Sequence, residues 1–70
     1  MSKIDILIEI ITQEIIGFLM TDNLLELDEA MNRLYNSDLF DKLQDIETGL
    51  YLEGSAYIYE LLSDELKRIQ

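Results

Sequence analysis

Four carboxylates in the middle of the chain are the residues whose type and spacing come closest to a site of chemistry. They are Asp38, Asp41, Asp45 and Glu47. Carboxylate oxygens are the ligands that calcium and magnesium prefer, so the cluster is a candidate site for a divalent cation. Its order does not match an EF-hand loop, however, and acidic residues every three or four positions are typical of a solvated helix face. We therefore expect no metal ligands here, with carboxylate-based binding of a divalent metal as the alternative.

The residue types that are absent from the sequence exclude most other catalytic chemistry. The chain has no cysteine and no histidine, which excludes disulfides, zinc–thiolate sites and the nucleophile–histidine pairs of many hydrolases. Carboxylates, tyrosines, serines, threonines and five basic residues remain. A chain of 70 residues offers little concavity in which to desolvate them. We predict a protein without catalytic residues or cofactors, and a small carboxylate-based enzyme is the alternative.

The charge of the chain restricts its partners. Fifteen acidic residues against five basic ones give a net charge of -10, and such a field repels phosphate backbones and anionic membrane surfaces. Direct nucleic-acid binding is therefore not expected. Asp5, Glu9 and Glu14 interrupt the apolar N-terminal segment, so neither a secretory signal nor a membrane span fits there. We expect a cytoplasmic protein that does not contact a membrane.

Four apolar segments with helical spacing must position these side chains. Hydrophobic residues make up 49% of the sequence and charged residues 29%, a composition that can bury a core and is too apolar for a disordered tail. Polar clusters separate the segments, which favours an all-α fold, a small bundle of about four helices in a single domain of residues 1–70. The predicted helices are approximately 3–20, 26–35, 38–44 and 56–69.

Serine residues mark three of the predicted helix starts. Ser2, with Asp5 three residues later, resembles a capping box, while Ser37 precedes the third apolar segment and Ser55 precedes the fourth. A side-chain oxygen at such a position accepts a hydrogen bond from one of the first free backbone N–H groups of a helix. We therefore expect a serine cap at each of these starts.

Each of the three shorter helices has one apolar stripe that is expected to be buried. The stripe of the second helix consists of Leu27, Ala30, Met31, Leu34 and Tyr35. The third helix carries Leu39, Phe40 and Leu43. The fourth helix carries Ile58, Leu61, Leu62, Leu66 and Ile69. Together these stripes predict most of the core.

The first helix is apolar on most of its sides. Eleven of the seventeen residues from Ile4 to Met20 are apolar, more than one buried helix face requires. In one interpretation, Ile8, Ile11 and Ile15 belong to an exposed stripe that binds a protein partner or a second copy of the chain. In the other, the helix is central and the remaining three wrap around it.

Large apolar side chains also occur in the predicted loop of residues 45–55 and just after it. Leu50 and Tyr51 lie in the loop, where they either anchor a partner or pack under the loop and complete the core. Tyr57 and Tyr59 are two positions apart and cannot share a helical face, so we expect one in the core and the other at its edge. All four are candidate residues of a partner interface.

Four segments of the C-terminal half resemble a known family. They are Leu34–Ser37 (LYNS), Asp41–Asp45 (DKLQD), Glu47–Tyr51 (ETGLY) and Tyr57–Leu62 (YIYELL). Over roughly residues 34–66 the chain is similar to a family of short, acidic, helical bacterial proteins of unknown function, although Ile46 replaces a proline expected in relatives. The resemblance implies a stand-alone bacterial helical protein and assigns no activity.

These observations predict a small, acidic, non-enzymatic module for protein–protein interaction. It either forms a homodimer or acts as an antitoxin-like inhibitor of a basic protein. In the second case its negative charge would steer it toward the partner before the apolar residues are buried.

Overall fold

Residues 2–69 are described by a computed structural model of the chain, with side chains to Arg68. The four α-helices are α1 (Lys3–Asn23), α2 (Leu27–Tyr35), α3 (Asp38–Gln44) and α4 (Ser55–Ile69). Two short 3₁₀ turns, Ile46–Thr48 and Leu50–Leu52, lie in the connection between α3 and α4. No strand occurs within residues 2–69, so the predicted all-α bundle of four helices is confirmed.

The start of α1 is fixed by the predicted capping box. The Ser2 hydroxyl accepts a hydrogen bond from the Asp5 N–H at 3.1 Å, and the Asp5 carboxylate accepts one from the Ser2 N–H at 3.3 Å. Two of the free N–H groups at the helix end are thereby satisfied. The negative charge of Asp5 also lies at the positive end of the helix dipole, which stabilises the first turn.

The end of α1 lies three residues beyond the predicted one. Thr21 to Asn23 continue the helix, and Leu24 ends it in the left-handed conformation, with φ of 53°. Its N–H bonds to the Met20 carbonyl. A non-glycine residue in this conformation costs about 1 kcal/mol. The hydrogen bond that ends the helix offsets this cost. The polar cluster therefore forms the last turn of α1 rather than a loop.

The core lies between one face of α1 and the three shorter helices. α1 packs against α2, α4 and the second 3₁₀ turn, while α3 packs against α2, α4 and both turns. The buried residues of α1 include Ile11, Ile15, Ile16 and Leu19. The other helices contribute Ala30, Leu34, Leu39, Leu43, Ile58 and Leu62. The bundle therefore buries one side of α1 from Ile11 to Leu19.

The predicted stripes are buried only in part. In α2, Ala30 and Leu34 are buried, but Leu27 and Tyr35 at its two ends are exposed, because a short helix meets its neighbours along a narrow line. The Tyr35 ring still packs on that of Phe40, with centroids 5.0 Å apart. The α4 stripe is buried or half-buried at residues 58, 61, 62 and 66. The side chain of Ile69 lies outside the described residues.

A serine joins α2 to α3, as the sequence predicts. Ser37 is buried, and its hydroxyl accepts a hydrogen bond from the Phe40 N–H at 3.1 Å. The same hydroxyl donates to the Leu34 carbonyl at 2.6 Å. One side chain thus satisfies the end of α2 and the start of α3, which fixes the sharp corner between the two helices.

A second cap of α3 comes from a distant part of the chain. The two carboxylate oxygens of Glu65, on α4, accept hydrogen bonds from the Asp38 and Leu39 N–H groups, each at 2.8 Å. Charge-assisted bonds of this kind are stronger than neutral ones. Glu65 therefore satisfies two free N–H groups and ties α4 to the start of α3.

The connection between α3 and α4 is held by local hydrogen bonds. The Thr48 hydroxyl donates to the Lys42 and Asp45 carbonyls, both at 2.8 Å, and accepts from the Leu50 N–H at 3.2 Å. Gly49 separates the two 3₁₀ turns with φ of 66°, a conformation that favours glycine because it has no Cβ. The turn chemistry expected here thus forms two short 3₁₀ turns.

The residue that precedes α4 is Gly54, and not Ser55 as the sequence predicts. The Ile58 N–H bonds to the Gly54 carbonyl at 3.1 Å, so Gly54 provides the first acceptor of the helix. Ser55 is then the first helical residue, not the residue that precedes the helix. Glycine is tolerated at the preceding position, although its lack of a side chain leaves no capping oxygen there.

Replacing Glu65 by glutamine should destabilise the bundle. The Glu65→Gln side chain keeps the shape but has one acceptor oxygen and no charge, so it can satisfy only one of the two N–H groups. We expect the free energy of unfolding to fall by about 1 kcal/mol, measured by urea denaturation followed by circular dichroism. Glu60→Gln, at an exposed position of α4, is the control. Equal stability of both variants and the parent chain would contradict the role of Glu65.

Candidate functional site

The side of α1 that points away from the bundle carries large aliphatic residues. Ile6, Leu7 and Ile10 are 45%, 38% and 50% exposed. Helical spacing places Ile6 and Ile10 opposite the buried residues Ile15 and Leu19, with Leu7 at the edge of this side, one turn before the buried Ile11. We call these three residues the outward face of α1. They form a contiguous apolar surface on a helix that is covered on its other side only, and such surfaces are typical of protein contacts.

Two of the three interface candidates on the first helix lie in the core instead. Ile15 is fully buried and Ile11 nearly so, so the structure realises the alternative in which the bundle covers this stripe. Ile8 is half-buried and packs against the core. A partner that binds α1 can therefore reach Ile6, Leu7 and Ile10, which are not among the interface residues predicted from the sequence.

The signal that identifies the outward residues is present in the sequence. Once Ile11 and Ile15 are assigned to the core, a residue four positions from Ile15, such as Leu19, shares its face. Ile6 and Ile10 are one helical turn apart and fall on the opposite side. The apolar excess of the helix was visible, but which side of it the short helices cover depends on tertiary packing.

The loop candidates divide in the same way. Leu50 and Tyr51 are half-buried and pack against the core, which agrees with the interpretation that they complete it. Their neighbour Leu52 is 72% exposed. The second 3₁₀ turn therefore contributes two side chains to the core and leaves one in solvent.

The two tyrosines of α4 occupy different environments. Tyr57 is 49% exposed, whereas Tyr59 is half-buried and its ring packs on that of Phe18 at a centroid distance of 5.3 Å. This matches the expectation that one lies against the core and the other at its edge. Desolvation and the neighbouring Asp22 carboxylate raise the pKa of the Tyr59 phenol above its ordinary value of 10.0.

One carboxylate of the acidic cluster, that of Asp45, forms a hydrogen bond with the backbone. The Asp45 carboxylate accepts a hydrogen bond from the Glu47 N–H at 3.1 Å and so caps the first 3₁₀ turn. Within the part of the chain that the structure describes, no group of three or more acidic residues is placed to hold a metal ion. The four carboxylates thus do not assemble into the candidate cation site considered above.

A groove lies between α1 and the α2–α3 corner. Its volume is ≈ 370 Å³, and Ile8, Ile16, Tyr35 and Phe40 provide its apolar lining. The hydroxyl of Thr12, also in the groove, donates to the Ile8 carbonyl at 2.7 Å. Asp5, Glu9, Gln13 and Gln44 also line the groove, so its surface is partly polar and partly apolar.

Comparisons with known proteins leave the function to be argued from this geometry. No protein-family model matches the chain, and no match was found among curated proteins or solved structures. The resemblance over residues 34–66 thus stays a prediction. Among the helices described, none combines the length and the apolar character needed to cross a membrane.

Two isoleucine substitutions on α1 should distinguish a core position from a position on the outward face by their effects on stability. Ile15→Ala removes a fully buried side chain and leaves a cavity, so we expect the free energy of unfolding to fall by about 2–4 kcal/mol. Ile10→Ala, on the same helix but half exposed, should change it by less than about 0.5 kcal/mol. Chemical denaturation of both variants measures the difference. A larger loss for Ile10→Ala than for Ile15→Ala would contradict the orientation of α1.

The environment of Tyr59 predicts an alkaline titration. Because the folded state favours the protonated phenol, the contribution of Tyr59 to stability is complete below pH 10 and is lost as the pH rises through its raised pKa. Subtracting the phenolate absorbance of Tyr59→Phe from that of the parent chain should give a step with a midpoint above 10.0. Tyr57→Phe is the control and should retain this step. A midpoint below 10.0 would contradict the described environment.

Proposed function

We propose that the chain is a non-enzymatic protein-binding protein and that the outward face of α1 is its contact surface. The observation that carries the proposal is the exposure of Ile6, Leu7 and Ile10 on one side of one helix. Each is about half exposed, and burial of aliphatic surface contributes about 25 cal/mol per Å². A protein surface that covers this face would gain that energy without unfolding the bundle.

The shape of the surface favours a protein over a small molecule. A small ligand needs a concave site that surrounds most of its surface, whereas the outward face of α1 is the convex side of a helix. Such a face fits a groove on another protein or packs against another helix. The side chains of Ile6 and Ile10, one turn apart, provide the spacing that helix-in-groove recognition uses.

Exposed apolar residues also occur on the elements that cover the other side of α1. Leu52 and Tyr57 are both exposed, and they belong to the second 3₁₀ turn and α4, the elements that pack against α1. Tyrosine is favoured in interfaces because it combines apolar area with a hydrogen-bonding hydroxyl. Part of the region predicted from Leu50 to Tyr59 thus remains available to a partner.

A second candidate function, inhibition of a basic protein, is favoured by the net charge of -10. A strongly acidic surface accelerates encounter with a positively charged one and slows encounter with an acidic one. In that case association would slow as salt is added, because the field is screened over about 10 Å at 0.1 M ionic strength.

Aspartate substitutions on the outward face should weaken binding. Ile6→Asp and Ile10→Asp each place a charge in the contact, and we expect them to weaken capture of any bound protein by about tenfold or more. Ile46→Asp is the matched control, because Ile46 is 51% exposed and lies outside α1. Immobilised parent chain and variants, each verified as folded by circular dichroism, are compared for the proteins that they retain from a cell extract and for self-association by light scattering.

The outcomes separate the two candidates. Binding that both α1 variants lose and Ile46→Asp keeps supports the contact surface proposed. A retained protein that is basic, and whose association rate falls as salt is added, supports the inhibitory function. Equal retention by all variants contradicts the assignment of the outward face, and a monomeric chain that retains no protein contradicts the proposed function.

A further inference from the structure

The outward side of α1 has a charge pattern that is complementary to itself. Lys3, Leu7, Ile10 and Glu14 are spaced by four, three and four residues, so they form one line along the helix. All four side chains are exposed. The line begins with a positive charge, continues with two aliphatic residues and ends with a negative charge.

We infer that the partner of this face is a second copy of the chain, bound by antiparallel pairing of two α1 helices. This inference rests on the proposed function. With a two-fold axis midway between residues 8 and 9, Lys3 of each copy lies opposite Glu14 of the other, and Leu7 lies opposite Ile10. A two-fold interface needs a self-complementary surface of this kind. Parallel pairing would instead place Lys3 against Lys3 and Glu14 against Glu14.

The spacing of the line also suits helix–helix packing. Steps of four and three residues are those of the seam in a coiled coil, where apolar side chains of one helix fit between those of the other. The eleven steps from Lys3 to Glu14 span about 17 Å. A stable interface buries about 800 Å² on each partner, so this short seam gives a weak dimer that forms with increasing protein concentration.

Salt should strengthen the dimer. Two copies that each carry a charge of -10 repel each other, and added salt screens this repulsion between all surface charges. The two Lys3–Glu14 pairs are screened as well, but they are few beside the total charge. The pairs therefore set the direction and register of the helices more than the affinity.

Charge reversal tests the pairing, and Glu14→Lys is the decisive variant because it makes the chain less acidic, which by itself would strengthen the dimer. Lys3→Glu and Glu14→Lys each replace two attractive pairs by two repulsive ones, so each should raise the dimer dissociation constant about tenfold. The double variant restores opposite charges and should return it to within about threefold of the parent value. Glu47→Lys, on a turn that packs against α3, makes the chain less acidic by the same amount as Glu14→Lys and is the control.

Sedimentation equilibrium of the full chain across protein concentration measures the dissociation constants, and circular dichroism verifies that each variant is folded. A concentration-dependent dimer that both reversals weaken and the double variant restores supports the inference. A parent chain that stays monomeric, a stronger dimer for Glu14→Lys, or no recovery in the double variant would overturn it. If the chain is monomeric but still binds another protein through Ile10, only the second copy is excluded and the proposed function stands.

Discussion

The molecule is shaped by one constraint, which is that a single long apolar helix must be covered by three shorter ones. α1 has 21 residues, whereas α2, α3 and α4 have 9, 7 and 15. At 1.5 Å per residue α1 is about 31 Å long, close to the longest dimension of the bundle, 32 Å. The short helices bury the face that contains Ile11, Ile15 and Leu19. The excess of apolar residues then remains on the other side, at Ile6 and Ile10, and this excess defines the candidate contact surface.

The packing of the short helices against α1 depends on hydrogen bonds at helix ends. A helix of seven residues such as α3 is too short to be stable alone, because initiating a helix is unfavourable and few hydrogen bonds follow. Ser37 and Glu65 together satisfy the N–H groups at residues 38 to 40. Glu65 belongs to α4, and α4 also packs against α1. The same helix therefore caps α3 and buries part of α1.

The sequence predicted what depends on neighbouring residues and missed what depends on distant ones. The four helices, the Ser2 and Ser37 caps and the buried residues Ala30, Leu34, Leu43, Ile58 and Leu62 follow from local spacing and turn chemistry. The Glu65 cap joins residues 26 and 27 positions apart, so no local pattern indicates it. The face of α1 that is buried is also decided by packing, which is why Ile11 and Ile15 were candidates for an interface and Ile6 and Ile10 were not.

The acidic composition and the apolar face of α1 have complementary effects on association. Exposed aliphatic side chains on a small protein favour indiscriminate contacts, but a net charge of -10 opposes the approach of most acidic proteins and of anionic surfaces. A partner of the proposed kind would supply apolar surface and would place its charges to fit those at the ends of the face. Lys3 is one of only five basic residues in the chain, and its position on the same line as Glu14 gives the face a direction. In the proposed pairing, the charge of the whole molecule would thus limit how strongly the face associates, while the charges beside the face would determine what it can pair with.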